Sequence, residues 1–102
     1  MEKWRIVSKD GNPDKHGFYD AVVIWRDEDG IMRAEIDGRE YGPAELNGSF
    51  VMDGQPKEGL AWISHIGGYI GEQVYAWLPP REYPEIDLPE GVVWYVNEYM
   101  QS

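Results

Sequence analysis

The stretch Gly17 to Ile36, GFYDAVVIWRDEDGIMRAEI, constrains the chain more than any other, because it carries a complete β-hairpin signal. A β-branched and aromatic run reaches the polar string Asp27-Glu28-Asp29-Gly30, and a second alternating run follows it. A four-residue loop at Asp27–Gly30 predicts Trp25 opposite Met32, Val23 opposite Ala34 and Ala21 opposite Ile36. Side chains in a strand alternate between faces, so these six residues are expected to share one face. Asp20, Val22, Ile24 and Arg26 then share the other face with Ile31, Arg33, Glu35 and Asp37.

Around the hairpin the chain reads as short strands separated by breakers. Trp4 to Ser8 (WRIVS) is a strand, and Lys9 to His16 (KDGNPDKH) is a turn-rich connection. Gly38 to Pro43 reads as a second tight turn with an edge segment around Tyr41, and Phe50-Val51-Met52 as a short strand. Asp53 to Gly59 is a loop, Leu60 to Ile66 a strand broken by Gly67-Gly68, and Val74 to Leu78 a strand stopped by Pro79-Pro80. Val92 to Met100 is ambiguous. Asp87-Leu88-Pro89-Glu90 resembles a helix-capping box, yet VVWYV is strongly β-prone, and strand is the preferred reading. The expectation is a mainly β (or α+β) single domain over residues 1–102, built on a twisted antiparallel sheet with room for one short helix. Its core is expected to draw on Trp4, Ile6, Val23, Trp25, Ile36, Trp62, Ile63 and Trp77.

Charge separates the classes of partner. Nineteen acids against nine bases give a net charge of −10, and residues 58–102 carry seven acids with Arg81 as their one base. Such a surface repels nucleic acid and anionic membranes, which are bound by Lys and Arg releasing their counterions, and it attracts basic protein surfaces. Hydrophobic residues at 42% and aromatics at 14% exceed what a disordered acidic tail carries. The absence of cysteine excludes disulfides, zinc–thiolate sites and thiol catalysis, which suits a reducing cytoplasm. MEKWRIVSKD has no apolar signal core, and no apolar run approaches membrane-spanning length.

Residues fit for catalysis are few. His16 and His65 are the chain's two histidines, and they stand in no metal-ligating or triad spacing. His65 to Gly71 (HIGGYIG) lacks the Lys and Ser/Thr of a phosphate loop, and Asp27 to Gly30 lacks the spacing and terminal Glu of a calcium loop. Asp20 and Asp37 are expected to face one another across the hairpin, with Glu35 one pair away. Two acidic clusters remain as a partner-binding site: Asp27, Glu28 and Asp29 at the hairpin tip, and Glu82, Glu85, Asp87 and Glu90 in the last third. Converging on one surface, they would imitate a phosphate backbone; the bland reading is a solvated loop and a solvated tail. No catalytic residue, metal or cofactor is expected.

Trp4 to Ser8, Gly17 to Ile24 and Val74 to Pro80 (VYAWLPP) together resemble a family of small phage and prophage proteins, domain of unknown function 551. Ala76 stands where that family carries His, and Glu85 to Ser102 form a tail beyond the family-like part. The resemblance implies phage origin, a compact β-rich fold and residence in the cytoplasm of a bacterial host. By analogy with anti-CRISPR and anti-restriction inhibitors, the expected function is non-catalytic: occlusion of a basic, nucleic-acid-binding surface on a host protein. The alternative is a structural or assembly protein that homo-oligomerises through Tyr69, Tyr75, Tyr83, Trp94, Tyr95 and Tyr99.

Overall fold

The hairpin forms as expected, between β2 (Gly17–Arg26) and β3 (Met32–Pro43), but with its register shifted by one residue. Trp25 pairs with Arg33, Val23 with Glu35 and Ala21 with Asp37, in place of the expected Met32, Ala34 and Ile36. The cause lies in the loop. Gly30 N–H bonds Asp27 O at 3.0 Å, closing a tight turn, and Gly30 then takes a positive φ of 81°. Ile31 consequently stays in the loop, and its carbonyl accepts Asp27 N–H at 3.0 Å. Because the side-chain period is two, this single residue moves Met32, Ala34 and Ile36 onto the face of Val22 and Ile24. Glu35, Asp37 and Arg39 pass to the face of Tyr19, Ala21, Val23 and Trp25. Asp20 therefore faces Gly38, and the expected Asp20–Asp37 juxtaposition does not exist.

Residues 3–64, 71–78 and 86–95 are described by this computed structural model. Around the hairpin stand β1 (Arg5–Ile6), β4 (Leu60–Trp62), β5 (Gln73–Leu78) and β6 (Val92–Trp94), with helical turns α1 (Val7–Asp10) and α2 (Ala44–Asn47) and a 3-10 turn at Gly48–Phe50. The strands make one curled, mostly β, mixed sheet in the order β1-β5-β2-β3-β4. The sheet is mixed because β6 pairs parallel with β3, Met32 to Val92 and Ala34 to Trp94, where an all-antiparallel sheet was expected. WRIVS is strand only over Arg5–Ile6 before α1 begins, and Val51 makes an isolated bridge to Ile63 instead of a Phe50–Met52 strand. No turn interrupts Gly38–Pro43, since β3 pairs with β2 as far as Tyr41 opposite Gly17 and Gly38 keeps a negative φ. The Val92 strand is present through Trp94; Val96 to Met100 lie outside the described residues, as do the Gly67-Gly68 and Pro79-Pro80 breakers.

Both faces of the sheet are covered. One face packs Trp4, Val22, Ile24, Ala34, Ala76 and Leu78 beneath Ile86, Leu88 and Val92, the segment that crosses from β5 to β6. A bulge on β5, between the Val22–Ala76 and Val23–Val74 pairs, leaves Tyr75 extra and turns it to the same cluster. The other face packs Ala21, Val23, Trp25, Tyr41, Met52, Trp62, Val74 and Trp77. Of the expected core, Ile6 and Ile36 are half-buried and the other six are buried.

The Lys9–His16 connection does more than turn the chain. Trp77 Nε1 donates to Gly11 O at 2.8 Å, and Trp62 Nε1 donates to Asn12 Oδ1 at 2.9 Å. The Asn12 side chain also hydrogen-bonds Tyr41, and Tyr19 meets Trp62 and Trp77 edge-on at 6.1 and 5.2 Å. One loop thus satisfies the polar atoms that a large aromatic cluster must bury. Asn12→Ala is expected to lower stability by about 1–3 kcal/mol, the penalty of stranding a buried indole N–H. Urea unfolding measures it, and in a Trp62→Phe background the same substitution should cost clearly less.

Candidate functional site

The hairpin tip is built by Asp27. Its Oδ1 accepts the N–H groups of Asp29 and Ile31, each at 2.9 Å, and its Oδ2 accepts Arg33 Nε at 2.9 Å. The Arg33 hydrogen bond, then the Ile31 and Asp29 amides, hold this carboxyl below its ordinary range despite partial burial. Asp27 is therefore committed within its own loop, and the exposed acids of the tip are Glu28 and Asp29. Arg26 closes the other side, donating to Gly30 O at 3.1 Å.

The parallel register of β6 joins the two acidic clusters in part. Val92 lies beside Met32, and Val92 N–H bonds Pro89 O at 3.1 Å, so the Pro89–Val92 turn bearing Glu90 runs alongside the end of the Asp27–Ile31 loop. Neighbouring strands stand about 4.8 Å apart, which places Glu90 at the same end of the sheet as Glu28 and Asp29. Asp87 is exposed on the segment crossing the sheet, where its carbonyl accepts Tyr75 Oη at 3.3 Å. Glu82 and Glu85 lie outside the described residues. At the tip, Asp27, Glu28, Asp29 and Glu90 against Arg26 and Arg33 leave a local charge of −2.

Apolar surface accompanies these acids. Ile31, Val93 and Tyr95 are each more than 40% exposed, and the strand register assigns Val93 and Tyr95 to the face of Trp25 and Arg33. Tyr95 is anchored there by its N–H to Ala34 O at 2.6 Å and by an edge contact with the Trp25 ring at 5.4 Å. Exposed Trp94 points to the opposite face of the same edge strand. The tip thus combines exposed Ile, Val and aromatic side chains with flanking carboxylates, the composition of a protein-binding patch with a polar rim. Of the aromatic residues weighed for self-assembly, Trp94 and Tyr95 are exposed, Tyr75 is half-buried, and Tyr69, Tyr83 and Tyr99 lie outside the described residues.

Further along β3 lies a charge cluster that the expected register had hidden. Arg39 and Glu72 are 2% and 5% exposed, and Arg39 Nη2 donates to Glu72 Oε2 at 2.9 Å. Arg39 Nη1 is bonded to Asp37, while Arg39 Nε and Glu72 Oε1 make no hydrogen bond among the described residues. Burial, then repulsion from Asp37, pushes the Glu35 carboxyl above its ordinary range, against the pull of Arg39. The clue in the sequence was the alternation Glu35, Asp37, Arg39, three charges on one face of a strand.

No histidine–carboxylate–nucleophile arrangement emerges from the described residues. His16 Nε2 meets Glu40 Oε2 at 2.8 Å on the surface, and His65 lies outside the described residues. No group of three or more His, Asp or Glu among the described residues is arranged to hold a metal ion. A separate cavity of about 500 Å³ opens between α2 and the Val51–Lys57 loop. No helix among the described residues is long and apolar enough to cross a membrane. No family model, no curated protein and no solved structure matches the chain, so the resemblance to the domain of unknown function 551 proteins rests on the residues quoted for it.

Glu35 supplies a pH test. A carboxyl whose pKa is raised by folding destabilises the fold when ionised, and that penalty is relieved as pH falls through the raised value towards the unfolded one. Glu35→Gln is therefore expected to be more stable than the parent at neutral pH, with the difference shrinking on acidification. Asp27→Asn should behave oppositely: less stable at neutral pH, and converging with the parent as pH falls through the depressed pKa of Asp27. Thermal unfolding of the three proteins between neutral and acidic pH measures both signs.

Proposed function

We propose that the chain is a non-catalytic protein-binding module whose hairpin-tip end occludes a basic surface of a partner protein. The observation that carries this reading is the Met32–Val92 register, which brings the Glu90 turn to the same end of the sheet as Glu28 and Asp29, where Ile31, Val93 and Tyr95 are exposed. Opposed charge accelerates encounter and rejects wrong partners, while the aromatic and aliphatic centre supplies the buried area that holds the complex. With the resemblance to phage proteins, the partner is a host protein whose basic, nucleic-acid-binding groove the acids would fill, in the manner of an anti-CRISPR or anti-restriction inhibitor.

A second reading draws on the same exposed edge. Val93 and Trp94 stand on the three-residue outer strand and Tyr95 directly follows it, the kind of surface through which copies of a chain associate. Salt distinguishes the two, because the screening length falls from about 10 Å at 0.1 M to about 3 Å at 1 M and an apolar contact does not weaken in step.

The test is capture from bacterial lysate on the immobilised chain, compared with a Glu28→Lys, Asp29→Lys, Glu90→Lys variant. A partner retained by the parent, released as salt rises and lost at least tenfold in the variant is the expected result. Equal retention by both proteins ends the acidic-occlusion reading. Light scattering addresses the alternative: a dimer that persists in high salt and dissociates on Trp94→Ala would establish assembly through the β6 edge.

A further inference from the structure

The cavity beside α2 lies away from the hairpin tip, at the end of the sheet where β3 gives way to Ala44. Its volume, about 500 Å³, falls within the range of about 300–1,000 Å³ that accommodates a ligand or a large side chain. Ala44, Val51 and Met52 supply apolar lining, Gly48 and Gly54 contribute bare backbone, and Glu45, Asp53 and Lys57 supply the charges.

The walls are tied before anything binds. Ala44 N–H bonds Gly59 O at 2.8 Å, and Gly59 N–H bonds Glu45 Oε1 at 2.9 Å, fastening α2 to the far end of the loop. Met52 N–H bonds Trp62 O at 3.0 Å, and Trp62 N–H returns a bond to Gln55 Oε1 at 3.2 Å, fastening the loop to β4. Asn47 Nδ2 donates to Pro43 O at 2.7 Å and closes the helical turn. A cavity held in this way pays little ordering entropy on binding.

Its charges select the occupant. The Gly59 amide holds the Glu45 carboxyl below its ordinary range. Neither Asp53 nor Lys57 makes an ion pair or hydrogen bond among the described residues, and Lys57 offsets one of the two acids, leaving the lining a charge of −1. Carboxylates contributed by α2 and by the Val51–Lys57 loop, in a cavity also lined by Ala44, Val51 and Met52, match a cation on an aliphatic stem, and a flat guanidinium with several donors suits them better than a compact ammonium.

We infer that this cavity binds an arginine side chain presented by a protein partner, with the stem over Val51 and Met52 and the guanidinium between Glu45 and Asp53. The inference is independent of the tip acids, which lie at the other end of the sheet.

The experiment is a titration of the isotope-labelled chain with the peptide acetyl-Gly-Arg-Gly-amide, followed by amide NMR shifts. Citrulline, norleucine and glutamate peptides serve as neutral, apolar and anionic controls. Saturable shifts confined to residues 44–59, given by the arginine peptide and weakened at least fivefold with citrulline, are expected. Asp53→Asn, an exposed position that carries no structural bond, should weaken the arginine peptide about five- to tenfold, and Lys57→Gln should tighten it by removing the competing cation. Equal binding of arginine and citrulline, preference for norleucine or glutamate, shifts spread beyond the cavity, or indifference to both substitutions would each overturn it. The tip variant Glu28→Lys, Asp29→Lys, Glu90→Lys should bind the arginine peptide as the parent does, so failure here and failure of the tip reading are separable.

Discussion

The register of the β2–β3 hairpin is the constraint on which the rest of the structure depends, and a handful of atoms sets it. Asp27 receives two loop amides and the Arg33 guanidinium, and Gly30 adopts a backbone conformation that glycine takes without strain. Together they hold one additional residue in the loop. The slip decides which side chains of β3 meet which cluster. With it, Met32, Ala34 and Ile36 join Val22, Ile24 and Leu78, and the crossing segment Ile86–Val92 finds an apolar face to cover. Without it, those residues would leave that face, and Glu35 and Asp37 would replace them.

The other face pays for this arrangement in buried charge. Arg39 stands directly opposite Tyr19 and is held between Asp37 and Glu72, where desolvation consumes most of what the ion pairs return. Arg39 links β3 to the residue just before β5, two elements that are not neighbours in the sheet. Glu35, unfavourably placed beside Asp37 and Glu72, marks the residual strain of the cluster. The aromatic half of the same face has its polar demands met by Gly11 and Asn12, so a surface loop completes the core from outside.

The two ends of the sheet differ in kind from its middle. The interior is occupied by packed apolar and ion-paired side chains. The exposed chemistry lies at the hairpin tip, where β6 returns beside β3, and at the turn into α2, where a preformed cavity carries two carboxylates and Lys57. At both places acids outnumber bases, so part of the net charge of −10 has a defined location.

What the residues determined by themselves was local. β-branched and aromatic runs named the strands β2, β4, β5 and β6, breakers located the connections at Lys9–His16, Asp27–Gly30 and Asp53–Gly59, and composition pointed to a folded acidic domain, because these signals depend on neighbours a few positions apart. The Trp and Tyr residues announced a large core, and all four described tryptophans of the expected set are buried. The tertiary structure decided the rest. A hairpin loop of four residues and one of five differ by a single glycine conformation, yet they assign opposite faces to every side chain of β3, so the Arg39–Glu72 pair was illegible until the register was known. That Glu90 lies at the same end of the sheet as Glu28 and Asp29 depended on β6 pairing parallel with β3, a contact between residues some sixty positions apart that no local pattern encodes.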